Sequence, residues 1–318
     1  MNNKIVAFPH NDEHHLDLGR AAMHAGEFEQ AAEHFEAAYT HEHTFAVSRM
    51  LTEALLHAGH FQEAQSVAEE FITGYARTLT DGILFAQVLT ESHRFLGAHE
   101  WLRSLSSLVH TPEEKTRFSE AGDFLIGREK QYLDAEKETI ATQTKQYLGI
   151  AGESVLMQTK LVSDMDNLPL ATFNEIAPRL LTEQYLPQAL RNTVALHFVT
   201  LGDEETRGLR WFDEDITFVP AQVDNPFDNS VQAAWAKFVD EYENNEPELA
   251  TMVDQELHLY LLLLFPRVTS VVTDPDEWAN YVVRRLSGNE KVITEASVVK
   301  RWQDRLDHEL AALNDQPL

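Results

Sequence analysis

The chain has 318 residues, of which 43% are hydrophobic and 24% charged, a balance that fits a packed globular fold and excludes both global disorder and a membrane-embedded protein. Acidic residues outnumber basic ones 52 to 25, a formal net charge of −27, so a phosphate backbone or an anionic lipid surface would be repelled, and neither nucleic acid nor a membrane is expected as a partner. Cysteine is absent, which excludes disulfides, thiolate nucleophiles and thiolate-rich zinc sites and predicts a reducing, cytoplasmic setting.

In chain order, Met1 to His15 carries one lysine and a brief apolar patch from Ile5 to Phe8, too little for a secretory leader. Three segments then align. Leu18, Gly19 and Ala22 are followed by Gly26, Phe28, Ala31, Phe35 and Ala38; Leu51 and Leu55 by Gly59, Phe61, Ala64, Ala68 and Phe71; Phe85 and Leu89 by Phe95, Ala98, Leu102 and Leu105. Phe28, Phe61 and Phe95 recur at 33 and 34 residues, and Ala31, Ala64 and Ala98 recur with them. Each unit is two amphipathic stretches around a short turn, with glycine at 26 and 59 where the backbone must reverse, and this predicts a helical hairpin. The alanines allow close approach of the paired helices, and the phenylalanines fill the gap between neighbouring pairs. One hairpin cannot bury both its faces, so the units are expected to stack.

A capping box at Thr111, Pro112 and Glu114 predicts a new helix buried along Phe118, Ala121, Leu125 and Tyr132, and this helix is expected to bridge the two halves. Further helices are predicted over 154–165, 170–181 and 186–201. Between Thr206 and Val219 the period shifts to alternation through Leu209, Trp211, Ile216 and Phe218, a β-hairpin signal, followed by a loop over 220–229. Helices resume over 231–242 and from Pro247 to the apolar run Leu259 to Phe265, which is far short of the roughly 20 residues a membrane span needs and reads as a buried core helix. Asp274, Pro275 and Glu277 start another helix that Gly288 ends, and Val298 to Leu313 is a last amphipathic one with Lys300, Arg301 and Arg305 on its wet side. The expected fold is all-α: an α-solenoid of three hairpins over 1–110, a capping helix over 111–147, and a mostly helical second domain over 148–318 with one short β-hairpin near 206–219.

The pattern LGxxAxxxGEFEQAAEHFEAA from Leu18 to Ala38 resembles the tetratricopeptide repeat, and the resemblance extends with weaker matches over about residues 10–108. His93 stands in place of the turn glycine in the third unit. The joining of such an array to a second helical domain is similar to uncharacterised repeat proteins of Gram-positive bacteria, a likeness that implies no activity. The resemblance implies a concave face, lined by the first helix of each hairpin, that binds a protein or peptide. By register that groove comprises Leu16, Arg20 and Met23, then Arg49, Glu53 and His57, then Gln87, Thr90 and Glu91; the same positions equally suit a solvated helix face. Arg20 and Arg49 are placed to pair with acidic groups of a partner. Relatives that capture C-terminal carboxylates use a lysine and asparagine clamp, and Leu16 replaces that lysine.

Twelve of the 15 histidines precede residue 111. The pairs His14 and His15, His41 and His43, and His57 and His60 lack a helical metal-binding pattern and read as solvated imidazoles, whose protonation predicts pH-dependent partner affinity between neutral pH and about 5.5. Asp213, Glu214 and Asp215 lack the pattern of a calcium loop. No nucleophile elbow and no glycine-rich phosphate loop occurs. The expectation is a non-enzymatic binding scaffold without a cofactor. A second reading is a small-molecule or signal-peptide sensor with its pocket between the solenoid and the Trp211 hairpin; a third is a metal-dependent hydrolase using acidic pairs.

Overall fold

The computed structural model describes residues 11–243, 246–288 and 298–314. The apolar patch at Ile5 to Phe8 lies outside these. Among the described residues the fold is mostly α, with seventeen helices and one two-stranded antiparallel sheet. No helix is long and apolar enough to cross a membrane. The chain divides into two compact units, the first comprising Met1–Glu138 with Asp166–Leu170, the second Thr139–Met165 with Ala171–Leu318.

The first unit begins with three helical hairpins: α1 (Asn11–Ala25) with α2 (Phe28–His41), α3 (Phe45–Ala58) with α4 (Phe61–Glu69), and, after the short α5 (Ile72–Tyr75), α6 (Leu79–Glu91) with α7 (Phe95–Ser104). Each helix packs on its partner, and α2 packs on α3 as α4 does on α6. The turns are copies of one another. Gly26, Gly59 and His93 all take a left-handed φ, of 76°, 86° and 59°. In each turn that residue donates to the carbonyl three back (Met23, Leu56, Thr90), and the next donates five back (Ala22, Leu55, Leu89) at 2.8–2.9 Å, the double bond that closes a helix ending in a left-handed residue. Glu27, His60 and Arg94 follow with nearly identical φ, ψ of −90°, 65°; −87°, 62°; and −92°, 65°.

Phe28, Phe61 and Phe95 each open the second helix of a hairpin. Phe28 reaches forward to stack on His57 at 4.8 Å and Phe95 to Tyr132 at 5.1 Å, while the Phe61 carbonyl accepts the Ser92 hydroxyl of the next turn at 3.0 Å. Ala31, Ala64 and Ala98 are fully buried. Close approach also governs the helix faces: a Cβ on Gly19 would meet the Phe35 ring at 2.5 Å, so a smooth face on α1 lets α2 settle against it.

Helix α8 (Pro112–Ala135) starts at the expected capping box, Thr111 accepting from the Glu114 amide and Glu114 reaching back. It packs on α6 and α7 through Ala121 and Leu125 and belongs to the first unit. The strap Asp166–Leu170 returns to the same surface. Arg94 donates to Asp166 at 2.6 Å, the Leu96 amide in the first turn of α7 donates to the Leu168 carbonyl at 3.0 Å, and buried Glu129 of α8 accepts from the Leu170 amide at 2.5 Å and pairs with His99 at 3.2 Å. Open helix starts on both sides are thereby satisfied.

The second unit contains α9 (Lys137–Leu148), which begins at the boundary, then α10 (Val155–Ser163), α11 (Leu170–Leu180), α12 (Gln188–Thr200), the hairpin β1 (Arg207–Trp211) and β2 (Glu214–Phe218), α13 (Ser230–Glu243), α14 (Pro247–Leu264), α15 (Val268–Val271), α16 (Pro275–Leu286) and α17 (Val298–Asn314). The hairpin pairs Leu209 with Ile216 and closes at Trp211 and Glu214, as the alternation predicts. Helices α13, α14 and α16 pack together, and α12 packs on α14, α10 and β1.

A buried polar network ties these elements. Gln188 Oε1 accepts from the Phe212 amide at 2.7 Å and from Arg191 at 2.9 Å, and its Nε2 donates to Asn192 at 3.0 Å. Asn192 in turn donates to the carbonyls of Leu262, Leu263 and Phe265. The end of α14, the start of α12 and the hairpin tip are thus held by side chains that would be costly to bury unpaired. Arg305 of α17, half-exposed and paired with the exposed Asp213 at 3.0 Å, also lies 4.4 Å from the Phe212 ring centroid and 5.4 Å from that of Trp302, a pairing of cation and aromatic face.

Candidate functional site

The nine groove positions fall on α1, α3 and α6, the first helices of the three hairpins, and the structure treats them unequally. Leu16 and Met23 are half-buried against the apolar core. Arg20 is exposed and pairs with Asp17 at 3.3 Å. Arg49 is not a free cation. Its Nε donates to Asp81 at 2.5 Å and its Nη1 to Glu53 at 3.3 Å, and Asp81 also accepts from Thr78, so the guanidinium clasps α3 to the start of α6. Burial opposes the charge, but Asp81 and Glu53 outweigh it and raise the Arg49 pKa. His57 is exposed and stacked on Phe28.

The third hairpin corrects the expectation of a groove open along its whole length. Thr90 is 1% exposed, and its hydroxyl donates to the Ala86 carbonyl at 2.7 Å. Glu91 is held by the Arg128 guanidinium of α8, and Arg117 of α8 donates to Thr80 at 3.1 Å. Helix α8 therefore occupies the face of α6 that a guest would use, leaving half-buried Gln87 as the third unit's remaining contribution. Arg49 and Glu91 are each paired with an opposite charge inside the fold, and Thr90 has almost no exposed surface.

What stays open is the gap between α1 and α3. There a hollow of about 310 Å³ is lined by Arg20, Met23, His24, Phe35, Met50 and Glu53. Three of the nine expected residues meet in it, with Met50, Phe35 and His24 added. Met50 was detectable from its spacing to Glu53 and His57, three and seven residues on along one face of α3; Phe35 was not, because it reaches the hollow from the second helix of its hairpin. A second hollow of about 370 Å³ has Leu51, Leu55 and Val67 as its floor and Glu36 and Glu63 at its rim.

Several of the histidines remain exposed, as expected, while finding partners at the surface. His60 bonds Glu29 at 2.9 Å and His43 bonds Glu70 at 2.7 Å, where the Tyr39 hydroxyl also donates at 2.9 Å. Tyr39 and His43 together hold the Glu70 carboxyl below the usual carboxylate range. His15 and His34 bring their Nδ1 atoms to 3.4 Å.

Comparison with protein-family models, with curated proteins and with solved structures returns no match.

Proposed function

We propose that the chain is a non-enzymatic, cytoplasmic protein- or peptide-binding adaptor of the tetratricopeptide type, working through its first two hairpins. Three turns with one hydrogen-bond pattern and one set of dihedral angles, at intervals of 33 and 34 residues, support the repeat reading, and absence of cysteine supports the compartment. The observation that carries the function is the hollow between α1 and α3. Its methionines and Phe35 offer an adaptable apolar socket, while Arg20 already has Asp17 and Arg49 already has Asp81.

With its cations spoken for and a net charge of −27, the surface suits a segment that inserts one apolar side chain and carries basic residues on either side. This reverses the acidic partner expected from Arg20 and Arg49. The test is to isolate partners by affinity capture, synthesise the segment recovered, and measure its binding to the wild type and to Met50→Glu. Loss of about tenfold or more in affinity, with weakening as salt rises, is expected. Equal affinity for both proteins removes the hollow as the site.

A further inference from the structure

The second unit holds a cavity of about 450 Å³ between the N-terminus of α12 and the hairpin tip, within the size range of small-molecule sites. Arg191 lines it and is 4% exposed. Four of its five N–H groups donate to neutral oxygens: the carbonyls of Arg210, Glu183 and Leu186 and the side chain of Gln188. Among the described residues no carboxylate comes within ion-pair distance of this guanidinium, whereas Arg49, Arg94, Arg128, Arg207 and Arg285 each have one. A buried charge without a countercharge is costly, and burial pulls the Arg191 pKa down.

The surroundings add to the positive potential. Helix α12 starts behind Pro187 with no side-chain cap, so its first amides and its dipole face the same region. Arg210, which also pairs with exposed Asp215 at 3.2 Å, contributes a second guanidinium to the lining. Phe212 holds a left-handed φ of 51°, unusual for a bulky residue, and the Gln188 side chain that grips its amide keeps its ring at the cavity wall. Strain maintained at a cavity is a recognised mark of a functional surface. The lining also carries the carboxylates of Asp213, which pairs with Arg305 at 3.0 Å, and of Glu309, which acts electrostatically on Arg191 without reaching it. A simple anion would face the Glu309 carboxylate, and a simple cation the Arg191 guanidinium, the two lining charges without an ion-pair partner among the described residues.

The geometry points to a binding site for a small zwitterion of the α-amino-acid class, its carboxylate on Arg191 and the start of α12, its ammonium toward Glu309, and its side chain between Phe212 and Tyr185. This site is independent of the hollow on the first unit.

The experiment uses the full chain and calorimetric titration with each of the twenty common amino acids up to about 10 mM, with the N-acetyl derivative and methyl ester of any that binds, and with inorganic phosphate. Arg191 braces the hairpin, so Arg191→Ala is expected to disturb folding; Arg210→Gln and Glu309→Gln keep the buried network and are the informative variants. Saturable binding of at least one amino acid is expected, weaker by about tenfold or more for both derivatives and in both variants. The assignment is overturned if no amino acid binds, if a derivative or phosphate binds as tightly, or if both variants bind like the wild type.

Discussion

His93 and Gly59 share one backbone state. Each stands at the end of the first helix of its hairpin with a left-handed φ, 59° and 86°, and each donates to the carbonyl three residues back. The third turn keeps this geometry without glycine because its side chain is used: the His93 ring lies 4.7 Å from that of Tyr132 on α8 and 5.6 Å from that of Phe95, contacts that offset the left-handed cost of about 1–2 kcal/mol for a residue with a Cβ.

Alanine at Gly59 has no such compensation. Nothing lies within 4 Å of a Cβ there, so Gly59→Ala should destabilise by about 1–2 kcal/mol through backbone strain alone. Gly127, inside α8 and equally open, is the control: Gly127→Ala should stabilise by about 0.5–1 kcal/mol. Chemical denaturation of the two variants should move in opposite directions, and a common direction would refute the role of φ.

His60 is expected to titrate above its ordinary value of 6.5, since the hydrogen bond and charge of Glu29 favour the imidazolium. A pKa raised in the folded state contributes stability that is complete below the unfolded value near 6.5 and is lost as pH rises through the folded one. The link from α2 to α4 should therefore tighten on acidification. An NMR titration of the His60 ring should show the raised midpoint, and Glu29→Gln should lower it; a midpoint indifferent to that change rejects the linkage.

Glu129 serves two partners from a buried position, accepting from the Leu170 amide and pairing with His99. Removing it leaves a buried amide unsatisfied, so Glu129→Ala should cost about 2–3 kcal/mol. Hydrogen exchange provides the check: protection of the Leu96 amide, which depends on the Leu168 carbonyl of the same strap, should fall together with that of Leu170. Loss at Leu170 alone would mean that the strap is held piecewise.

Much of the fold was legible because its signals are local. Gly26 and Gly59, the capping box at Thr111, the cap at Asp274 and the alternation from Leu209 to Phe218 each specify structure within a few residues. The site was less legible because its decisive contacts are not. Thr90 and Glu91 have the spacing of an open face, and only the placement of Arg128, 37 residues beyond Glu91, shows that α8 covers it. Arg49 finds Asp81 32 residues on. Gln188, Arg191 and Asn192 are polar residues within α12, and nothing in their order distinguishes a buried network from a wetted one, since most of the acceptors are backbone carbonyls that any sequence supplies.

The strap from Asp166 to Leu170 sets the terms on which the molecule can be taken apart. Because the chain leaves the first unit at Glu138 and comes back to it at Asp166, no single cut separates two self-sufficient pieces. A truncation after Glu138 would take the Leu168 carbonyl from the Leu96 amide, Asp166 from Arg94 and the Leu170 amide from Glu129 at once, and such a fragment would be repaired by supplying the missing five-residue stretch as a separate peptide or by splicing it back through a shortened linker.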